Sequence, residues 1–151
     1  MGAGAALAAA LQKDQRKTFV LLSDAECNEG SVWEAVMFAA HHRLSNLVAI
    51  IDLNGQQAFG TTEKVLNSSP QRSRWEAFGW KVYEVDGHSL DELNATLMSL
   101  NTCVGGSPHV ILARTRLGKG VSFMEGKLKW HYWPLSDEEC AQALAELGKE
   151  P

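Results

Sequence analysis

The sequence has few of the features that mark secreted, membrane or nucleic-acid-binding proteins. Its three cysteines, Cys27, Cys103 and Cys140, lie far apart with no CxxC pair, so neither a disulfide framework nor a zinc site is indicated. This cysteine usage fits a reducing, cytoplasmic setting. The longest apolar runs, such as residues 47–53, are far shorter than the roughly 20 residues that span a bilayer. There is no run of lysine and arginine and the net charge is −4, which argues against non-specific binding of nucleic acid.

The N-terminus also lacks a feature: no charged segment precedes its apolar stretch, so a signal peptide is not expected. Residues 4–13 are rich in Ala and Leu, which predicts a helix. Its small side chains would let it pack closely against another backbone, as helices inside a domain do. We therefore expect one domain over residues 1–151, lacking its N-terminal portion.

Apolar runs alternate with segments of helical periodicity along the rest of the chain. The runs are residues 18–22, 47–53, 80–85 and 109–113, and the helical segments are residues 31–44, 70–78, 89–100 and 136–147. Residues 56–69 are polar and without periodicity, which predicts a long loop. Strands that alternate with helices predict a mostly parallel sheet covered on both faces, a three-layer α/β/α fold.

Ligands of such sheets bind beyond the carboxyl ends of the strands. Asp24 follows the first strand and Asn54 follows the second, with one helix between them. The crossover would bring a carboxylate and an amide oxygen to one edge, and oxygen ligands of this kind suit Mg²⁺. From spacing alone a plainer interpretation stays open, in which Asp24 caps the next helix and Asn54 makes a turn.

The residues around this pair carry a family resemblance. Residues 23–35 (SDAECNEGSVWEA) and 51–54 (IDLN) resemble the thiamine diphosphate motif of transketolases, in which a Gly-Asp-Gly triplet is followed at a distance by Asn. Residues 85–88 (VDGH), 115–125 (TRLGKGVSFME) and 130–131 (WH) also look like the N-terminal subunit of split-gene transketolases. The resemblance covers nearly the whole chain in the same order.

The resemblance implies a thiamine diphosphate-binding fold and a set of site residues. Asp24 and the side chain of Asn54 match the family's Mg²⁺ (or Ca²⁺) ligands, with the main-chain carbonyl of Gln56 as the third. Ala25 stands where a backbone N–H meets the diphosphate, and Glu26 belongs to the same cofactor-binding stretch. His131 matches a catalytic histidine near the diphosphate and the transferred group.

Two residues depart from the family pattern, because Ser23 and Ala25 replace both glycines of Gly-Asp-Gly. If the second glycine serves close approach of the diphosphate, Ala25 adds a methyl group there. The backbone N–H survives, so binding would be weakened rather than lost.

The implied function is that of a component of a transketolase-like enzyme, which transfers a two-carbon ketol unit between sugar phosphates. The family's pyrimidine-binding domain is not in this sequence, so we expect the partner to be a C-terminal transketolase subunit, with no activity from this chain alone. A homo-oligomer is also expected, with Glu29 matching an acidic residue of the family's dimer interface. The alternative is a truncated, non-catalytic homologue that acts as a binding or assembly module. A 2-oxo acid decarboxylase subunit is a third hypothesis, which residues 33–35 and 130–131 disfavour.

Other conspicuous residues have structural interpretations. Cys27 precedes a helix, where a thiol can become acidic, but no partner His or Asn is placed to activate it. His109 lies inside a strand, and Trp75 and Trp80 lie on predicted elements that would place them in the core. The aromatic residues of 130–133 predict an interface or a lid.

Overall fold

The computed structural model of the chain describes residues 1–66, 72–101 and 106–148. The helices in these ranges are α1 (Gly2–Leu11), α2 (Gly30–His41), α3 (Thr62–Val65), α4 (Arg72–Ala77), α5 (Leu90–Asn101) and α6 (Asp137–Leu147). The strands are β1 (Thr18–Ser23), β2 (Leu47–Leu53), β3 (Gln56–Gln57), β4 (Gly60–Thr61), β5 (Lys81–Asp86) and β6 (His109–Arg114). Two short 3-10 helices, Glu26–Asn28 and Leu128–His131, complete the set.

Four of the strands form a parallel sheet in the order β1-β2-β6-β5. The register pairs Ser23 with Asp52 and Asp52 with Ala113, so the carboxyl ends of three adjacent strands are level. Parallel strands need crossover connections, and α2 supplies the one between β1 and β2. The expected mostly parallel α/β sheet is confirmed.

The sheet has an apolar core on each face. On one face, α1, α2 and α4 pack against the strands around the fully buried Trp75, with Trp80 5% exposed beside it. On the other face, Leu93, Leu97 and Leu100 of α5 pack against β2, β5 and β6. Both tryptophans therefore lie in the core, as the sequence predicts. No helix within the described ranges is both long and apolar enough to cross a membrane.

The helix starts follow the capping pattern of the sequence, with one variation. Ser136 accepts from the backbone N–H of Glu139, whose carboxylate accepts in return from the N–H of Ser136. At α5, Ser89 accepts from the N–H of Glu92, but the Glu92 carboxylate accepts from the N–H of Asp86 instead. That bond ties the start of α5 to the end of β5.

The prediction of a long loop over residues 56–69 is wrong for the described part of that range. The chain forms the hairpin β3–β4 and then α3, and the N–H of Thr62 closes the hairpin on the carbonyl of Gly55. Gly60 adopts a φ of +139°, which a residue with a side chain rarely does. Two-residue strands are too short to produce a period that a sequence pattern could reveal. Residues 67–69, Pro70, Cys103 and Gly105 lie outside the described residues.

Candidate functional site

The candidate site lies at the carboxyl edge of the sheet, where β1 and β2 end side by side. Asp24 is only 2% exposed, and its Oδ2 accepts a hydrogen bond of 2.8 Å from the N–H of Gly55. Its Oδ1 has no hydrogen-bond partner among the residues that the structure describes. A buried carboxylate oxygen without a donor is costly, and a cation is one group that would satisfy it.

Asn54 is drawn to the same point because it directly precedes Gly55. Its Oδ1 accepts from the N–H of Gln56 at 2.8 Å, and its Nδ2 donates to Oδ2 of Asp52 at 2.9 Å. Gly55 itself has a φ of +74°, which lets the chain turn so that its N–H faces Asp24. The expectation that Asp24 and Asn54 meet at one sheet edge is confirmed.

The electrostatics of this edge favour a positive guest. Burial raises the pKa of the Asp24 carboxyl above its ordinary value, although the backbone N–H groups of Gly55 and Ala25 oppose the rise. The nearby negative charge of Asp52 adds to that rise in pKa. Two carboxylates without a bound cation between them therefore destabilise the charged state of Asp24.

The donor set fits a hard divalent cation better than zinc. Across residues 1–66, 72–101 and 106–148, no three His, Cys, Asp or Glu side chains come together to hold a metal. An ion at this edge would have one carboxylate, from Asp24, and the neutral oxygens of Asn54 and Gln56. Mg²⁺ binds in this way when phosphates and waters complete its octahedral shell. The residues present therefore fit a magnesium–diphosphate group.

The loop after β1 shows how the chain accommodates Ser23 and Ala25. Ser23 and Glu26 exchange hydrogen bonds: the Ser23 N–H donates to Oε2 of Glu26, and the Glu26 N–H donates to Oγ of Ser23. Ala25 has φ −64° and ψ −39°, an ordinary right-handed conformation, so this backbone does not need glycine there. The carboxylate of Glu26 is engaged with the loop itself, and its role toward a cofactor stays a prediction.

A second loop closes over the hairpin. Gly126 donates its N–H to the carbonyl of Leu117, and Gly118 has φ +72° with space for a Cβ denied by the backbone of Met124 at 2.8 Å. The folded-back loop places the Gly126 carbonyl 2.6 Å from Nε2 of Gln56. The side chain of Gln56 is thus a tether between loops, distinct from the carbonyl role expected for its main chain.

His131 lies on the 3-10 helix that packs beside β3, next to this tether. Its side chain is exposed, and its ring lies 4.8 Å from that of Tyr132. The structure places it at the same edge of the sheet as Asp24 without a direct bond to Asp24 or Asn54. The exposed aromatic side chains Tyr132 and Trp133 continue from it as an apolar surface.

Two residues at this edge were missed by the reasoning from sequence. Asp52 accepts from Asn54 through Oδ2 and from the hydroxyl of Thr115 through Oδ1. An acidic residue within an otherwise apolar strand was the available signal for Asp52. Thr115 is 63 residues away in sequence, and no local pattern connects it to Asp52.

The structural interpretations of Cys27 and His109 agree with their surroundings. Cys27 is fully buried, and burial together with the charges of Asp24 and Glu26 raises the pKa of its thiol to about 12. Such a thiol stays protonated and unreactive at neutral pH. His109 is 1% exposed and lies 3.3 Å from the hydroxyl of Tyr83, and burial lowers its pKa to about 4.

Comparison with known proteins gives matches over nearly the whole chain. The family model "Transketolase, thiamine diphosphate binding domain" matches residues 5–151. A subunit of apulose-4-phosphate transketolase from Phocaeicola vulgatus is 42% identical over 149 residues, 99% of this chain and 53% of that protein. A 6-deoxy-6-sulfo-D-fructose transketolase subunit from Clostridium sp. strain MSTE9 is 40% identical over 147 residues, 97% of this chain and 53% of that protein.

A solved structure gives the same result for the fold. The crystal structure of transketolase from Campylobacter jejuni superposes with a TM-score of 0.88 at 28% identity, covering 97% of this chain and 24% of that one. The chain spans about half the length of the curated relatives that it matches.

Proposed function

This chain belongs to the family of transketolase thiamine diphosphate-binding domains, and from that premise we propose that it supplies the metal and diphosphate half of a transketolase site. The reaction would be transfer of a two-carbon ketol unit between sugar phosphates. Thiamine diphosphate, when bound, supplies the carbon–carbon bond chemistry, and the protein contributes binding, orientation and electrostatics.

One observation carries this proposal: the buried Asp24 carboxylate keeps an unpartnered Oδ1 beside Asn54. A magnesium ion held by Asp24, Asn54 and the carbonyl of Gln56 would satisfy that oxygen and screen the charge of a diphosphate. The backbone N–H of Ala25 is the expected contact for the diphosphate itself. His131, on the exposed segment beside β3, is the residue expected to face the reacting part of the cofactor.

The proposal includes a partner chain. Relatives at about 40% identity are named as subunits, and this chain spans about half their length. We propose that a C-terminal transketolase subunit brings the pyrimidine-binding domain and that the complete site forms between the two chains, in a cytoplasmic setting.

Self-association is part of the same proposal. Apolar side chains are exposed on β1 and α2, namely Phe19, Leu21, Met37 and Phe38. Contiguous apolar surface of this kind favours association between copies. Size-exclusion chromatography with light scattering tests it, and a clean monomer at micromolar concentration would contradict it.

The test of cofactor binding is calorimetric titration of thiamine diphosphate into the purified chain. It is run with Mg²⁺, with EDTA, and with Asp24→Asn, which keeps the shape of the side chain and removes its charge. Asp91→Asn is the matched control, because Asp91 is an exposed carboxylate in the first turn of α5. We expect saturable binding that needs both Mg²⁺ and Asp24 and is unchanged in the control.

The negative result has a defined meaning. If the wild-type chain binds no cofactor at millimolar concentration, either alone or with a C-terminal subunit from a split transketolase, the proposed function is wrong. The alternative, a non-catalytic binding or assembly module, would then be favoured.

A further inference from the structure

We propose that Asp52 and Thr115 are positioning residues that fix the orientation of Asn54, through a hydrogen-bond relay across the ends of β6 and β2. This inference rests on the proposed function of Asn54 as a metal ligand. It names two side chains that act on the metal site through Asn54 and not by touching the ion.

The orientation of the Asn54 amide is determined by its two partners. Nδ2 faces a carboxylate oxygen of Asp52, which can only accept, and Oδ1 faces the N–H of Gln56, which can only donate. Rotating the amide by 180° would set oxygen against oxygen and N–H against N–H. Asp52 therefore selects the orientation in which the amide oxygen, not its nitrogen, is the end available to a cation.

Asp52 also reaches the second proposed ligand. Its backbone carbonyl accepts from the N–H of Asp24 at 3.1 Å, while its carboxylate holds Asn54. One residue thus sets the relative placement of both oxygens that would bind the metal. Since each carboxylate oxygen of Asp52 already accepts a hydrogen bond, its action on the site passes through Asn54.

Thr115 holds Asp52 from the neighbouring strand. Its hydroxyl donates to Oδ1 of Asp52, and its N–H donates to the carbonyl of Leu53 at 3.2 Å. The rotation of Thr115 is restricted by Gly87, where a Cβ would come within 2.4 Å of the Thr115 methyl carbon. The methyl group lies against the glycine, so the hydroxyl faces Asp52, and the relay runs from Thr115 through Asp52 to Asn54.

Two pairs of variants separate this relay from charge and from simple folding effects. Thr115→Val removes the hydroxyl and Thr115→Ser retains it. Asp52→Ala removes both acceptors, whereas Asp52→Asn keeps an acceptor for Asn54 and a donor for Thr115 but removes the charge. Urea unfolding of each variant confirms that it is folded.

The first readout uses the protein without metal or cofactor. The side-chain NH₂ signals of Asn54, assigned by their loss in Asn54→Asp, are followed by NMR. We expect two separated, slowly exchanging amide protons in the wild type, Thr115→Ser and Asp52→Asn. In Thr115→Val and Asp52→Ala the signals should move toward those of a free amide and exchange faster.

The second readout is the affinity for Mn²⁺, a paramagnetic substitute for Mg²⁺, measured by water-proton relaxation with thiamine diphosphate present. Loss of a residue that orients a metal ligand typically weakens metal affinity 10- to 100-fold. We expect a loss of about tenfold for Thr115→Val and Asp52→Ala, and values within about twofold of the wild type for the two conservative variants.

Three results would overturn the proposal. They are unchanged Asn54 signals in Thr115→Val, unchanged Mn²⁺ affinity in that variant despite altered signals, and a loss in Asp52→Asn as large as in Asp24→Asn, which would make Asp52 a ligand. Absence of Mn²⁺ binding by the wild type would instead refute the proposed function. The NMR arm would still decide whether the relay orients Asn54.

Discussion

Replacing Asp24 by asparagine should stabilise the protein when metal and cofactor are absent, although it removes a residue on which the site depends. The Oδ1 of this buried carboxylate has no partner among the described residues, and the charge of Asp52 lies nearby. Asparagine keeps an oxygen for the N–H of Gly55 and places an NH₂ group where the unpartnered oxygen was. An NH₂ group next to the Asp52 carboxylate is attracted, whereas the oxygen is repelled.

The size of the effect follows from the burial of Asp24. An unsatisfied buried polar group costs about 1–3 kcal/mol, and we expect Asp24→Asn to recover about 1–2 kcal/mol of unfolding free energy. For a chain of this length each kcal/mol corresponds to about 2–4 °C, so the melting temperature should rise by about 3–6 °C. The gain should shrink as the pH falls, because the raised pKa of Asp24 means that the native wild type takes up a proton before the unfolded chain does.

The assay is urea and thermal unfolding at pH 7 in EDTA, with Asp91→Asn as the control. The control removes an exposed charge and should change the free energy by less than about 0.5 kcal/mol. With Mg²⁺ and thiamine diphosphate the order should reverse, since only the wild type gains stability from binding. If Asp24→Asn is less stable than the wild type in EDTA, the carboxylate is satisfied in solution and the reasoning from its unpartnered oxygen is refuted.

Two further predictions concern buried titratable groups. His109 has a native pKa of about 4, below its ordinary 6.5, so stability should be constant above pH 6.5 and fall by about 3 kcal/mol toward pH 4. His109→Gln should remove this slope and exposed His41→Gln should not, and equal slopes would contradict the assignment. The raised pKa of Cys27 lowers its thiolate fraction about 1000-fold, so native-state alkylation read by peptide mapping should label Cys140 and spare Cys27. Rapid labelling of Cys27 would show that it is not enclosed.

The element order was predictable because it depends on local patterns. The apolar run of β2 was placed at residues 47–53, with the bounds that the structure has. Its strand neighbour β1 and the capped helices α5 and α6 were also placed, since β-branched residues and serine caps act over a few residues. The short hairpin of β3 and β4 was missed, because two-residue strands have no period.

Part of the candidate site was predictable for a topological reason. Two parallel strands joined by one helix must bring their carboxyl ends together, so Asp24 and Asn54 had to meet at one edge. The φ of Ala25 was not predictable in this way. Only the structure showed that this position has an ordinary backbone conformation, which removes one reason for requiring glycine there.

Tertiary structure alone decided the contacts between distant segments. The strand order β1-β2-β6-β5 inserts β6 between β2 and β5, and this choice sets Thr115 beside Asp52. The fold-back of residues 117–126 likewise brings the Gly126 carbonyl to Gln56. Sequence patterns report periodicity within a segment, but which strands become neighbours depends on how crossovers pack over the whole sheet. The residues that would bind the metal follow from the sequence, whereas the residues that orient them follow from the packing of strands distant in the chain.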